Sequence, residues 1–262
     1  MRPAQPGMHW RVWAAECAGT ALLVLAIVAA ATVSLGEGSA VAEALPGHGV
    51  GFLLLGALVA PCVGLIAVSP LGRLSGAHIN PAVTLGFWAL GHVSRYDLAG
   101  YLTAQLTGGV AGALAARALL PGGAVGSIGG AVTHPQVPTA AALALEVAMT
   151  ALLVVVIFAF TSSRGLARWT PLAIVPVLIA LIWLGSPPTG ASLNPARSAG
   201  PAVAFADLAD LWLYLTAPAA AGLLVGVAWR RSWMPPPRTA RLFHNRRYPC
   251  PLASELPVAH RA

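Results

Sequence analysis

The stretch Ser75–Gly86, with the sequence SGAHINPAVTLG, decides the fold because the chain contains it twice. It aligns without gaps on Thr189–Gly200, with the sequence TGASLNPARSAG. Both copies contain Asn-Pro-Ala, as Asn80-Pro81-Ala82 and as Asn194-Pro195-Ala196. Asparagine before proline is a strong helix start, since the Asn side chain caps the first turn and Pro fits the first helical position. Each copy therefore predicts the beginning of a helix.

The composition around these motifs is that of a membrane protein. The 262 residues include 15 basic and 8 acidic side chains, so 9% of the chain is charged and 57% is hydrophobic. Soluble domains carry roughly a quarter charged residues. The composition thus excludes a disordered chain and disfavours a soluble domain. The net charge of +7 is not concentrated in a basic stripe, so we expect no nucleic-acid partner.

Six apolar segments approach or reach the length of about 20 residues that a bilayer requires. They are Trp13–Val33, Val50–Val68, Leu98–Leu120, Thr139–Phe160, Pro171–Leu184 and Leu211–Trp229. The helices predicted at residues 81–90 and 195–204 are too short to span. A short helix at membrane depth is tolerated only where protein buries it or where it lines a water-filled cavity. The sequence therefore predicts an all-α membrane protein with six transmembrane helices and two re-entrant half-helices.

The internal repeat extends beyond the two motifs. Tyr101-Leu102-Thr103-Ala104 recurs as Tyr214-Leu215-Thr216-Ala217, and Glu16 in the first span is matched by Glu146 in the fourth. Each half contains three spans and one half-helix. Three is an odd number, so the second half is inserted upside down relative to the first. Inverted-topology repeats place their site near the membrane midplane, between the halves.

The boundaries that follow are a terminal segment (1–12), a first repeat (13–120), a connecting loop (121–138), a second repeat (139–229) and a tail (230–262). Arginines concentrate in alternate loops and in the tail. By the positive-inside rule, both termini are cytoplasmic and the loop 121–138 is external. We expect a flexible tail. The integral membrane location is predicted to be the inner membrane of a bacterium.

The geometry implied by the repeat brings Asn80 and Asn194 together at the centre of the membrane. Each half-helix N-terminus carries about half a positive charge and unpaired N–H groups. Two such ends facing one channel repel cations, and the Asn amides can donate hydrogen bonds to a neutral oxygen. Both Asn residues could instead serve only as helix caps.

The paired Asn-Pro-Ala motifs, the Arg197 that follows the second, and the glutamates of spans one and four resemble the major intrinsic proteins, the aquaporins and glycerol facilitators. The resemblance covers about residues 16–230. It implies a six-helix bundle, one pore in each subunit, a homotetramer, and a pore centre formed by Asn80, Pro81, Ala82, Asn194, Pro195 and Ala196.

The same resemblance places the selectivity filter at Ala60, Ile182, Ala191 and Arg197. Water-selective members typically have an aromatic residue at the first position and His at the second. This chain has small and aliphatic residues there, which implies a wider and more apolar opening. The Ala-Ile-Ala-Arg set resembles the nodulin-like intrinsic proteins of plants and bacterial relatives associated with metalloids.

Four polar residues within or beside the apolar segments, Glu16, Glu146, Gln105 and His78, are candidates for a structural role. The glutamates could carry protons, but we favour a structural role in which they hold N–H groups of the non-helical segments before the half-helices. Gln105 is expected to do the same. His78 could be a pH-sensing gate, or it could brace its loop, which we favour.

These observations predict a passive channel for small uncharged solutes, such as glycerol, urea, boric acid or arsenous acid, and for water, with ions and protons excluded. The alternatives are a water-selective aquaporin and, in a different class, a proton-coupled secondary transporter. Cys17, Cys62 and Cys250 have no metal-binding spacing, and no nucleophile arrangement or phosphate-binding loop indicates an enzyme. We expect no metal and no cofactor.

Overall fold

The computed structural model describes residues 7–45, 47–243 and 251–253. Within these residues there are helices and loops and no strands, and the predicted all-helical class is confirmed. The six long helices are span 1 (Trp10–Leu35), span 2 (His48–Val68), span 3 (Arg95–Leu119), span 4 (Thr139–Thr161), span 5 (Thr170–Thr189) and span 6 (Leu211–Arg231). Two shorter helices are half-helix 1 (Pro81–Ala89) and half-helix 2 (Pro195–Ala204).

Within the described residues, five of the six spans are long and apolar enough to cross a membrane by composition alone. The exception is span 3, which is long enough, with 25 residues, but carries several polar side chains. Two of these, Asp97 and Gln105, are fully buried. Asp97 accepts hydrogen bonds from Trp13 Nε1 at 3.0 Å and from Ser94 Oγ at 3.0 Å. Span 3 therefore turns these two polar side chains toward the protein, which a composition window cannot detect.

Span 5 is longer than the predicted Pro171–Leu184. It continues through Pro187 and Pro188 to Thr189, and it ends at Gly190, whose φ of 79° is left-handed. Glycine adopts this conformation at little cost and so ends many helices. Short helices at Ala40–Ala44, Pro70–Ser75 and Gly122–Ser127 were not predicted from the sequence.

Each half-helix packs against a span of the opposite repeat. Half-helix 1 lies on span 6, where a Cβ added to Gly222 would come within 2.1 Å of the carbonyl oxygen of Ala82. Half-helix 2 lies on span 3, where a Cβ added to Gly109 would come within 2.4 Å of the carbonyl oxygen of Ala196. Small residues at helix crossings let backbones approach this closely in membranes. The two repeats are therefore interlocked, and the half-helices are fixed at the centre of the bundle.

We call the side of the bundle where span 4 ends and span 5 begins the inner face, and the side of the 120–138 connection the outer face. On the inner face, the prediction of a flexible tail is wrong for residues 239–242 and 251–253. Ala240, Arg241 and Leu242 are no more than 2% exposed, and Leu252 and Ala253 no more than 3%. The sequence contains many polar and proline residues here, so composition suggested disorder. Tertiary contacts with the inner face bury the segment instead.

Candidate pore

A cavity of about 80 Å³ runs between the two repeats. Its wall includes the two motif asparagines, Asn80 and Asn194, at the centre of the bundle. Toward the outer face the wall contains Ile182, Ala191 and Arg197, and toward the inner face it contains Val83, Leu153, Ile157, Ile174 and Leu178. A water molecule needs about 10–15 Å³ of such space. The cavity therefore has room for a short file of waters or for one small solute.

The two motif asparagines join the repeats at the centre of this cavity. Asn80 Nδ2 donates a hydrogen bond to the carbonyl oxygen of Leu193 at 2.8 Å, and Asn194 Nδ2 donates one to the carbonyl oxygen of Ile79 at 2.9 Å. Their side-chain oxygens accept from the backbone N–H groups of Ala82 and Ala196, both at 2.9 Å. An amide NH2 group has two hydrogens. Each side chain thus caps its own half-helix, fastens the opposite loop, and retains a second N–H at the cavity wall.

The chain before each half-helix has an unusual backbone. The φ angles of Ala77 and Ile79 are 56° and 41°, and those of Ala191 and Leu193 are 46° and 56°. Positive φ is uncommon for residues other than glycine, and it persists only where the surroundings enforce it. These segments leave the helical conformation, so their N–H groups find no helical partners and need acceptors from elsewhere.

Glu16 supplies those acceptors in the first repeat. Its carboxylate accepts hydrogen bonds from His78 N at 3.0 Å and Ile79 N at 2.6 Å. Gln105 Nε2 donates to the same carboxylate at 2.8 Å. Glu16 is fully buried and is absent from the cavity wall. A buried carboxylate requires such donors, because an unpaired charge in an apolar interior is costly.

Glu146 does the same in the second repeat. Its carboxylate accepts from Ser192 N at 2.9 Å, from Leu193 N at 3.0 Å and from Thr189 Oγ1 at 2.7 Å. Span 6 has Pro218 at the position that matches Gln105, so the third donor comes from Thr189 instead. Glu146 is also fully buried. Each glutamate therefore accepts from two backbone N–H groups and one side chain, which is Gln105 in the first repeat and Thr189 in the second.

Both ring nitrogens of His78 are hydrogen-bonded. Nδ1 lies 3.1 Å from Thr84 Oγ1, and Nε2 lies 2.7 Å from the carbonyl oxygen of Ala240 in the tail. A carbonyl can only accept, so Nε2 carries a hydrogen. The ring is also stacked on Phe87, with a centroid distance of 5.1 Å. His78 therefore connects its loop to half-helix 1 and to the tail.

Arg197 is the cationic side chain on the cavity wall. It is 8% exposed, and its Nη1 donates to the carbonyl oxygen of Ala131 at 2.9 Å. The guanidinium group has five N–H donors. The bond to the outer connecting loop holds the group at the cavity wall.

The profile of one protein family, described as Major intrinsic protein, matches residues 4–229 of the sequence. The chain belongs to the major intrinsic protein family. As a member, it is an integral membrane protein of a family of passive channels, and it is not an enzyme.

Three relatives illustrate the breadth of the similarity. Lens fiber major intrinsic protein of Gallus gallus is 32% identical over 91% of this chain and 87% of its own length. Aquaporin Z of Rhodopseudomonas palustris is 36% identical over 85% of this chain and 93% of its own. Aquaporin NIP6-1 of Arabidopsis thaliana is 34% identical, over 83% and 67%.

Among solved structures, the aquaglyceroporin from Plasmodium falciparum has the same fold. Its TM-score is 0.68 and its sequence identity is 21%, over 86% of this chain and 97% of the other. At this identity the likeness establishes the fold alone.

The structure brings together three of the four residues that the family resemblance placed at the constriction. Ile182, Ala191 and Arg197 share the outer part of the cavity wall. Ala60 does not join them: it is fully buried and absent from that wall, while its neighbour Val59 faces the cavity from span 2. Span 2 has Pro61 within it, and the position counted from the motif falls one residue after Val59, which lines the cavity together with Leu55 and Val63 of the same helix.

Sequence reasoning missed two residues that shape the site. Thr84 and Ser198 occupy matching positions in the two half-helices. Thr84 Oγ1 accepts from Gln105 Nε2 at 3.0 Å, and Ser198 Oγ bonds to Ser192 Oγ at 2.7 Å. The repeat alignment contained the signal, because both positions have a hydroxyl four residues after the asparagine.

Proposed function

We propose that this channel conducts small uncharged solutes, among them glycerol, urea, boric acid and arsenous acid, together with water, and that it excludes ions and protons. The observation that carries the proposal is the composition of the outer cavity wall. One fixed cation, Arg197, shares it with the aliphatic side chains of Ile182 and Ala191. Pore width, hydrogen-bonding groups and electrostatic barriers together decide selectivity in such channels.

A solute with several hydroxyl groups suits this wall. Arg197 offers N–H donors in a fixed fork to the oxygens on one side of the solute. Ile182 and Ala191 contact its carbon side without needing hydrogen bonds. The loop segments 76–79 and 190–193 would add carbonyl acceptors along the path, since several of their residues line the cavity. A neutral polyol thus exchanges its hydration for protein contacts on both sides.

Cations and protons meet a positive potential along the same path. The N-termini of the two half-helices face each other at Asn80 and Asn194, and each carries about half a positive charge. Arg197 adds a full charge toward the outer face. A bare cation would lose its hydration there with no compensating acceptors of negative charge, so its entry is unfavourable.

The test is a solute panel measured in parallel. Purified protein in proteoliposomes is mixed with glycerol, urea, boric acid or an impermeant osmolyte, and vesicle volume is followed by light scattering. We expect glycerol and water permeability above that of empty vesicles. Water permeation with every larger solute excluded would show the alternative, a water-selective aquaporin.

A substitution at Ile182 tests the role of the outer cavity wall. Ile182→His replaces an aliphatic side chain with a polar ring beside Arg197, which makes the opening less apolar, so it should suppress glycerol flux more than water flux. Equal losses of both fluxes would count against the proposed filter.

The transporter alternative receives no support from the positions of the glutamates. Both carboxylates are committed to three donors each and lie outside the cavity wall. We therefore expect solute flux that is unchanged by a proton uncoupler and never concentrative.

We further propose that both termini face the cytoplasm of a bacterial cell, with the chain in the inner membrane, and that it assembles as a homotetramer. The arginine distribution supports the orientation. Exposed leucines on the spans, such as Leu65 at 66% and Leu172 at 63%, are available to lipid or to a neighbouring subunit. Native mass spectrometry from detergent tests the tetramer, and protease protection of the tail in intact cells tests the orientation.

A further inference from the structure

The chain after span 6 folds back over the inner face of the bundle. Span 6 ends at Arg231, and the following residues up to Met234 are exposed. From Thr239 to Leu242 the chain is buried, with Thr239 and Ala240 at 0% and Leu242 at 2% exposure. We call residues 237–243 the tail strap. A surface extension would not be buried to this degree, so the strap has a defined seat.

The first part of that seat is the loop that carries the pore motif. The carbonyl oxygen of Ala240 accepts from His78 Nε2 at 2.7 Å, and Leu242 N donates to the carbonyl oxygen of Gly76 at 2.9 Å. His78 and Ile79 are the residues whose N–H groups bind Glu16. The strap is therefore bonded directly to the segment that shapes the inner half of the cavity.

The second part is the end of span 4. Arg238 N donates to the carbonyl oxygen of Thr161 at 2.8 Å, and Arg238 Nε donates to that of Ser162 at 3.1 Å. The last carbonyls of a helix have no partners within it. The strap satisfies two of them, and it thereby connects the end of span 4 to the loop before half-helix 1.

One side chain of the strap reaches the cavity. Leu242 forms part of the cavity wall, together with His78 and with Ile157 and Ile174 of the inner half. The strap thus does more than cover the bundle, because it contributes an apolar side chain to the conduction path. Hydrophobic constrictions close channels by excluding water from a narrow apolar section.

We propose that the tail strap is a built-in closure of the pore, in which Leu242 narrows the inner mouth and the bonds from Ala240, Leu242 and Arg238 hold it there. This inference rests on the proposed channel function. With the strap seated, Leu242, Ile157 and Ile174 form an apolar wall at the inner end of the path. When the strap leaves, His78 Nε2 and the backbone oxygen of Gly76 lose their partners in the strap, and the path becomes wider and more polar.

The experiment compares opposite changes at one position in full-length protein. Leu242→Ala removes the apolar side chain, and it should raise water permeability in proteoliposomes several-fold. Leu242→Trp enlarges the side chain and should lower permeability below that of the unmodified protein. Met234, which is 50% exposed on the same tail, provides the controls Met234→Ala and Met234→Trp. Both controls should leave permeability unchanged.

A truncation after Met234 gives a second measurement and should be at least as permeable as Leu242→Ala. Size-exclusion profiles and thermal midpoints in detergent establish that each variant is folded. Where the truncation does not fold, the two substitutions at Leu242 still test whether the tail strap closes the pore. Equal permeability of Leu242→Ala, Leu242→Trp and the unmodified protein would overturn the closure, and so would a decrease in both variants.

Failure of the channel proposal has a different signature. In that case the unmodified protein and every folded variant, including the truncation, are no more permeable than empty vesicles. A low permeability of the unmodified protein, above that of empty vesicles, combined with a higher permeability of Leu242→Ala supports both the channel and the closure.

Discussion

Asn80 and Asn194 have nearly the same backbone conformation, with φ and ψ of −156° and 117° for the first and −154° and 110° for the second. Each is extended, each is followed by proline, and each side chain donates across the bundle to the loop of the other. The approximate twofold symmetry of the repeats is thus preserved to the level of single hydrogen bonds. Such reciprocity means that a change on one side of the centre should be felt on the other.

Arg197 is expected to be a barrier to protons as well as a donor to solutes. Arg197→Gln keeps a hydrogen-bonding side chain and removes the charge, so the positive potential at the outer wall falls and proton conductance should rise. The measurement is dissipation of a pH gradient in proteoliposomes containing a pH-sensitive dye. Arg168→Gln, on the exposed inner connection, is the matched control. Unchanged proton conductance in a folded Arg197→Gln variant would show that the half-helix ends suffice as the barrier.

The glycines between half-helices and spans are expected to be required for packing. Gly222→Ala places a Cβ 2.1 Å from the carbonyl oxygen of Ala82, far inside contact distance, and neither backbone can yield easily. We expect a loss of about 1–3 kcal/mol in stability and a lower thermal midpoint in detergent. Gly123→Ala is the control, since nothing lies within 4 Å of its added Cβ. Equal midpoints for the two variants would contradict the close crossing.

Ala191 should determine the response to mercury. It lines the cavity with a φ of 46°, so Ala191→Cys places a thiol in the path without a further change of backbone strain. Solute and water flux in this variant should be blocked by a mercurial and restored by a thiol reagent. The control Ala199→Cys lies outside the cavity wall in the same region. The unmodified protein should show little block, and strong reversible block of it would place one of its own cysteines on the path instead.

Glu16 is expected to stabilise the fold and not to carry protons. In Glu16→Gln one acceptor oxygen becomes an NH2 donor that faces other donors, which leaves at least one buried N–H unpaired. The cost of such a group is about 1–3 kcal/mol. Thermal unfolding in detergent should show the loss, whereas Glu37→Gln, on an exposed side chain, should not. A stable Glu16→Gln protein that loses only uncoupler-sensitive uptake would instead favour the transporter.

Much of the candidate pore could be predicted because its signals are local. The caps at Asn80 and Asn194 are properties of an Asn-Pro dipeptide, and the pairing of Glu16 with Glu146 is visible in the repeat. The position of Ala60 could not be obtained in the same way. Which side of span 2 faces the cavity depends on how the helix is rotated by its neighbours, and span 2 contacts span 5 closely at Gly56, where an added Cβ would lie 2.9 Å from the carbonyl oxygen of Ile179.

The sequence by itself determined the membrane class, the inverted repeat, the two half-helices and the residues that begin them, since all of these follow from hydropathy and from backbone chemistry within a few residues. Only the tertiary structure decided that each half-helix packs on a span of the other repeat, that Val59 and not Ala60 faces the cavity, and that the tail is bonded to His78. These outcomes depend on contacts between residues far apart in the chain. Their free energies come from close packing and from matched donors and acceptors, which become defined only when the whole bundle has formed.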